Sequence, residues 1–517
     1  MKIVSITIGL IIFSCVIYLI DLTAYGATWD ELVFHMETGK RYVTFLKTKD
    51  LKPILQYENS SWFPPVAPTL GYLFVDNKLI AKYFPIESDR FHLAGILFGS
   101  LGVGTTFLIT FILTKRISVS LFSALLLATN TQFVTQLHNN IRDTGLMFFF
   151  SFSILLLLLW LISKHKLFLS FACGIVAGLT TDTKQNGGLL IFITLVWFLI
   201  HLKKTGWRNF TVFSFVYLFS FVAAFLIFWP YLWSDTYIHL LSVWNFLTNP
   251  SIIAGPALFY DKVYISLKNI PFYYPWVMLS ILHTPPVIFM AIVGLFISVK
   301  GLFTKQKTAL ILLWLFIPLS RFMIPKSAIA FDQIRHIFEV IPSIAVFTGI
   351  ALSFFLDKYS YKKNFKKGIV LITFFVLFYN FLILLRYRPY GTSYFNFLAG
   401  PSSYVNHAFD VEYFGNVYRE AANYLNTAYT PDTKYYTAGL GAHILENGGL
   451  KNYKTDNMED DFDYVIFMNK QTVIRNNSYV LWLVNNKKPI YTIKREGKIL
   501  FYQYLPYKKE YYQTAQQ

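Results

Sequence analysis

Apolar runs of roughly bilayer length recur through the first three-quarters of the chain. They lie near residues 3–20, 91–113, 117–134, 144–162, 167–180, 187–201, 209–230, 276–299, 309–324, 333–354 and 368–385. A hydrocarbon core of about 30 Å asks for about 20 helical residues, so the pattern predicts about eleven transmembrane helices. The windows 167–180 and 187–201 are the shortest of them. After about residue 386 the texture changes. Gly415–Asn426 has helical spacing, while Lys434–Ala438, Tyr464–Met468, Tyr479–Val484 and Ile499–Tyr504 are short runs rich in Tyr, Val and Ile that predict strands. The expected division is a membrane domain over 1–385, with a long first outer loop over 21–90, and an extracytoplasmic α/β domain over 386–517.

The first apolar run follows Lys2, as a signal peptide would, but it runs into Asp21 without a small-residue cleavage site and is read as a retained span. Basic residues fix the sidedness. Lys115 and Arg116, Lys164 and Lys166, Lys203, Lys204 and Arg208, Lys300, Lys305 and Lys307, and Lys358, Lys362, Lys363, Lys366 and Lys367 fall on alternate connections. Cytoplasmic loops carry such an excess, so the amino terminus is expected in the cytoplasm of a plasma or inner membrane. The loop 21–90, the turn at 135–143, the loop 231–275 and the tail then lie outside.

Composition agrees. With 55% apolar and only 14% charged residues, the chain has too little polar surface for a water-soluble globule of 517 residues. Its net charge of +18 lies largely in inner loops, where orientation and anionic headgroups account for it without nucleic acid. Cys15 and Cys173 both fall in apolar runs, which argues against a disulfide framework or a thiolate metal site. There is no Walker or dinucleotide-binding glycine pattern, and no inverted repeat of the kind many transporters carry.

The candidate chemistry collects on the outer side. Asp30 and Glu31 follow the first span. His138, Arg142 and Asp143 crowd the next outer turn, where Asp143 is also suited to cap a helix. Lys184 lies in a polar knot at 181–186, and Arg335 and His336 follow Asp332 and lead into a late span, preceded by Pro325 and Lys326. Carboxylates suit proton abstraction. Lysine and arginine suit a phosphate, one as a point charge and the other as a rigid donor fork. Solvated surface charge and simple capping remain the bland readings of the same residues.

In order along the chain, Trp29-Asp30-Glu31, Trp62-Phe63-Pro64-Pro65, Arg142-Asp143-Thr144 with Phe148-Phe149, and Arg335-His336 with Pro342 resemble the motifs of a family of GT-C class membrane glycosyltransferases. That family, glycosyltransferase family 39, contains the protein O-mannosyltransferases and the aminoarabinose transferases acting on lipid A. Pro389-Tyr390 through Gly400, and Glu412-Tyr413-Phe414-Gly415, are similar to tail segments of its bacterial and archaeal members. The resemblance implies a GT-C-like fold and inverting transfer of a sugar from a polyprenyl-phosphate donor to a glycolipid, polysaccharide or protein acceptor. It implies Asp30 as general base and Asp143 as second carboxylate. Lys184, Arg335, His336 and Arg142 are expected to hold the donor's phosphate or sugar, with Glu31 and His138 in support. Phe63 stands where the family has His or Lys, which removes one contact to donor or metal, so no divalent metal is assumed. Transport of lipid-linked glycans and a non-enzymatic assembly role are the competing classes.

Overall fold

Within a bilayer every backbone N–H and C=O must be satisfied inside the segment, which leaves apolar runs the helix as their only open-ended structure. In the computed structural model, which describes residues 2–248, 255–265, 269–324, 332–359, 363–439 and 441–515, all the apolar windows are helical at least in part. Pro325, Lys326 and Lys362 lie outside the described residues.

Among the described residues six helices are long and apolar enough to cross a membrane: Lys2–Ala24, Glu87–Thr114, Ile141–Ile162, Trp207–Phe228, Arg335–Lys358 and Asn364–Tyr387. A seventh is available if Ile117–Ala128 and Thr131–Asn139, bent by 55°, form one broken span. The expected eleven is corrected accordingly, and the reasons are local. The window 117–134 breaks where the Asn130 side chain accepts the Phe133 amide at 2.9 Å and starts a new helix. The window 276–299 breaks before Pro285, which lacks the N–H that continuation requires and leaves Pro285–Val299 with 15 residues. Lys166–Thr181, Leu189–Ile200 and Gln306–Ser320 have 16, 12 and 15 residues, each shorter than the about 20 helical residues a hydrocarbon core asks for.

Small residues let these short helices pack closely. Gly174 and Gly178 of Lys166–Thr181 face the helix Trp207–Phe228, and a Cβ on Gly174 would sit 2.2 Å from the Tyr217 carbonyl oxygen. Phe107, Leu127, Phe150, Leu312 and Val346, from five different helices, are buried in one apolar core.

The basic connections converge at one end of this bundle. Arg116 pairs with Asp357, the Lys204 ammonium donates to the Thr304 carbonyl at 2.5 Å, and the Gln306 side-chain amide donates to Thr205 at 3.1 Å. Lys166–Thr181 leaves that end, and Asp182–Lys184 form the tip at which the chain turns back towards it.

The loop after the first span folds as helices, with Met36–Thr48 packed on Val66–Val75. Beyond it, β1 (Ala257–Phe259) and β2 (Lys262–Tyr264) form a small hairpin. The tail carries β3 (Tyr435–Thr437), β4 (Lys454–Thr455), β5 (Tyr464–Met468), β6 (Tyr491–Arg495) and β7 (Lys498–Tyr504) in one mixed sheet of order β4-β3-β5-β7-β6. β3 runs parallel to β4 and β5, while β7 is antiparallel to β5 and β6. Helix Tyr418–Ala428 lies where helical spacing predicted it. The expected strand at Tyr479–Val484 is instead part of the helix Ser478–Asn486, because Asn477 caps it through the Val480 amide at 3.0 Å and Tyr479, Val480 and Leu483 form its buried face.

Candidate active site

Asp30 stands at the start of an unusual turn. Residues Glu31–His35 form a π-helical turn, of a kind frequent at functional sites, and Met36–Thr48 continues it as an α-helix. The Asp30 carboxylate meets the Arg335 guanidinium in an ion pair. Arg335 lies 305 residues further along the chain, just after Asp332 and Gln333, which both adopt left-handed backbone, φ +57° and +59°. For residues other than glycine such a conformation is costly and marks a segment held in place by its surroundings.

Arg335 is the hub. Besides Asp30, it reaches Asp143 through Nε at 3.5 Å and Asp332 through Nη1 at 2.9 Å, and its guanidinium lies over the Phe414 ring, 5.3 Å from the centroid. Asp143 is buried in the first turn of Ile141–Ile162, where Asn140 caps the helix by accepting the Arg142 and Asp143 amides at 3.2 Å each. Its other ion pair is with Lys184. Sequence positions 30, 143, 184 and 335 are thus brought into one connected network.

Arg142 and His336 flank this network. The Arg142 guanidinium lies 4.6 Å from the centre of the Phe63 ring and donates to Gln185 Oε1 at 3.3 Å. Phe63 itself stacks on Phe34 at 4.7 Å. An aromatic ring here supports a cation where a His or Lys would add another, which is how this site accommodates the Phe63 departure. His336 Nδ1 is 3.5 Å from the Lys184 ammonium.

Electrostatics follow from burial and pairing. Burial alone would raise the Asp30 carboxyl, but the Arg335 guanidinium overrides it and holds the group below the ordinary carboxylate value. Burial lowers the Lys184 ammonium, and the Asp143 carboxylate only partly restores it.

Two expected supporting residues lie elsewhere. Glu31 turns away from Asp30 into a buried pair with His92, Oε2 to Nε2 3.0 Å, and also accepts the Thr28 amide. Burial pushes its carboxyl well above the ordinary value, which suits a proton held within the structure. His138 places both ring nitrogens against backbone carbonyls, of Val134 at 2.9 Å and Tyr18 at 3.1 Å, and stacks on Tyr25 at 3.9 Å. Its surroundings are those of a packing residue.

Sequence reasoning gave Asp332 no role and missed Lys470, whose ammonium pairs with the second oxygen of Asp332 at 2.9 Å. Nothing around Lys470 sets it apart from other tail lysines. Phe414 belongs to the Tyr413-Phe414-Gly415 element that the sequence did single out, and its carbonyl accepts the Trp29 amide at 3.1 Å, next to Asp30. Among the described residues no three His, Cys, Asp or Glu side chains converge as metal ligands would.

Residues 78–233 match the sequence model of the dolichyl-phosphate-mannose-protein mannosyltransferases. The chain resembles that family. The matched segment contains His138, Arg142, Asp143 and Lys184, whereas Asp30, Glu31, Arg335 and His336 lie outside it. Among solved structures, the chain is similar to the oligosaccharyltransferase of Archaeoglobus fulgidus in its apo form, at 12% identity over 89% of this chain and 69% of that one, with a TM-score of 0.48. The archaeal oligosaccharyltransferase AglB of the same organism, in complex with an inhibitory peptide and a dolichol-phosphate, gives 11% identity over the same shares and a TM-score of 0.47. The protein O-mannosyltransferase complex of S. cerevisiae bound to the sugar donor gives 18% identity over 50% of this chain and 39% of that one, with a TM-score of 0.34. No curated protein sequence matches this one.

Proposed function

We propose that this GT-C-like chain is an inverting glycosyltransferase that moves a sugar from a polyprenyl-phosphate donor to an acceptor hydroxyl on the extracytoplasmic side of the membrane. The observation that carries this reading is the single network joining Lys184, Asp143, Arg335 and Asp30. On this reading the membrane part supplies these four residues, and the tail beyond about residue 385 is the extracytoplasmic unit.

The chemistry is a single displacement. Asp30 accepts the acceptor's proton as its oxygen bonds to the anomeric carbon, and the bond from that carbon to the lipid phosphate breaks on the opposite face, inverting the centre. The departing phosphate gains one negative charge, for which Arg335, Lys184 and Arg142 are the available counter-charges. In the resting arrangement Asp30 is paired with Arg335, so the donor's phosphate competes for that guanidinium and frees the base as it binds. Three carboxylates, Asp30, Asp143 and Asp332, face four cations, Arg142, Lys184, Arg335 and Lys470.

The test is transfer by purified protein in lipid, with a panel of radiolabelled polyprenyl-phosphate sugars, membrane extract as the acceptor source, and Asp30→Asn beside wild type. Label moved by wild type alone supports the reading. Label moved equally by both proteins removes Asp30 as base, and label moved by neither, with both folded, removes the transferase.

A further inference from the structure

We propose that the extracytoplasmic tail completes the active centre: Lys470, through Asp332, is a positioning residue that holds Arg335 where it can serve both Asp30 and the donor's phosphate. This inference rests on the transferase reading.

Asp332 divides its two oxygens between two cations, with Lys470 Nζ at 2.9 Å on one and Arg335 Nη1 at 2.9 Å on the other. Each cation therefore limits how strongly Asp332 draws the other. Without Lys470, Asp332 would keep Arg335 as its main counter-charge and compete for it with Asp30, Asp143 and an incoming phosphate.

The tail also fixes both ends of this link. Lys470 lies two residues beyond β5 and immediately precedes the short helix Gln471–Ile474, and the intervening Asn469 side chain donates to the carbonyls of Asn406 at 3.1 Å and Ile499 at 2.9 Å. At the other end, the side-chain amide of Gln333 donates to the carbonyls of Thr392 at 3.0 Å and Asp410 at 2.8 Å, which anchors the left-handed pair Asp332 and Gln333. Asp410 in turn accepts from both the amide and the hydroxyl of Thr472, two residues beyond Lys470. The Phe414 ring, also from the tail, lies against the Arg335 guanidinium, 5.3 Å from its centroid.

Stability alone is a poor reason for such a lysine. A largely buried ion pair loses hydration on both partners, and apolar replacement of the whole pair is often neutral or favourable for folding. Aligning a guanidinium for transfer is a use that an apolar pair does not provide.

The experiment compares full-length wild type, Lys470→Met, Lys470→Arg, Asp332→Asn and Asp30→Asn in lipid, reading transfer against pH, thermal stability, and stabilisation by added polyprenyl phosphate. Lys470→Met is expected to lose roughly ten- to hundredfold in transfer, the scale of a catalytic group misplaced by about 1 Å, and to bind polyprenyl phosphate correspondingly more weakly. The charged and titratable groups whose fields act on Asp30 are Arg335, His35, Lys470 and Arg142, with Glu31 beside it in the chain but turned away. Because Lys470 helps to keep Asp30 ionised, its removal moves the acid limb of the pH profile to higher pH. Lys470→Arg restores both rate and limb, and Asp332→Asn combined with Lys470→Met is no worse than the poorer single variant.

Unchanged transfer, acid limb and phosphate binding in Lys470→Met would overturn the proposal. So would a lower rate that follows lost thermal stability with the limb unmoved. Transfer that persists in Asp30→Asn would remove the base instead; the loss of polyprenyl-phosphate stabilisation in Lys470→Met would still decide the role of Lys470.

Discussion

At the scale of single residues, the resting pair of Asp30 and Arg335 makes pH a direct probe of the site. A carboxyl held low in the fold contributes stability above its ordinary pKa and loses it as pH falls through the lowered value. The acid limb of kcat/KM, which reports the free enzyme, is therefore expected below about pH 4, the ordinary aspartate value. Once a donor phosphate has taken Arg335, Asp30 loses its strongest counter-charge, so the acid limb of kcat lies at higher pH than that of kcat/KM. Coincident limbs in a transfer assay would mean that Arg335 stays on Asp30 throughout. Lys184 has the opposite sense. Its ammonium is lowered by burial, so raising the pH neutralises it before an exposed lysine, and donor KM is expected to rise on the alkaline side. Lys184→Gln should raise KM at neutral pH and abolish that alkaline rise, as measured by initial rates against donor concentration.

At the scale of elements, the short helices connect the bundle to the chemistry. Lys166–Thr181 packs on Trp207–Phe228 through Gly174 and Gly178, and its end carries Asp182 to Lys184 towards Asp143. Gly174→Val places side-chain atoms where the Tyr217 carbonyl already is, so it is expected to lower both Tm and transfer. Gly188→Ala, whose added Cβ meets nothing within 4 Å, is the control and should change neither. A Tm unaltered in Gly174→Val would show that the pair can separate freely. In the tail, burial pushes Glu412 up to about 7 while its Oε1 accepts the Phe414 and Gly415 amides at 3.0 Å each. A carboxyl raised by the fold costs stability as pH climbs from its ordinary value towards 7. Glu412→Gln keeps an acceptor oxygen without the charge, so its Tm advantage over wild type should grow between pH 5 and pH 8. The same elements show what the sequence could convey. Periodicity located Tyr464–Met468 and the helix from Tyr418 because their pattern is local. It misread Tyr479–Val484, where aromatic and β-branched residues favour a strand but the Asn477 cap decides. It also counted spans from hydropathy alone, which takes no account of an Asn130 cap or a Pro285 start. The charged residues of the network were legible as polar groups costly to place at a membrane edge. Their partners were not, because pairing position 30 with 335, or 332 with 470, depends on the packing of the whole chain.

At the scale of the molecule, the two ends of the bundle differ in charge chemistry, and sidedness is expected to follow from that difference. The connections around Arg116, Lys204, Thr304 and Asp357 meet at one end, while Asp30, Asp143, Lys184 and Arg335 meet as a separate network. Basic loops favour the cytoplasmic face, so the network and the tail are expected on the opposite one, where a nucleotide sugar is not the natural donor. Labelling with a membrane-impermeant maleimide tests this in intact cells. Both native cysteines, Cys15 and Cys173, lie in helices and are replaced first. Exposed Lys49 in the first loop and Tyr453 in the tail are then changed one at a time to Cys, as are exposed Lys203 and Lys305 at the basic end. Positions 49 and 453 should label from outside, and 203 and 305 only after the membrane is opened. The opposite pattern would put the carboxylates in the cytoplasm and make a nucleotide sugar the donor to test. Labelling of 49 without 453 would separate the tail from the first loop, in conflict with the contacts that join Trp29 to Phe414 and Asp332 to Lys470.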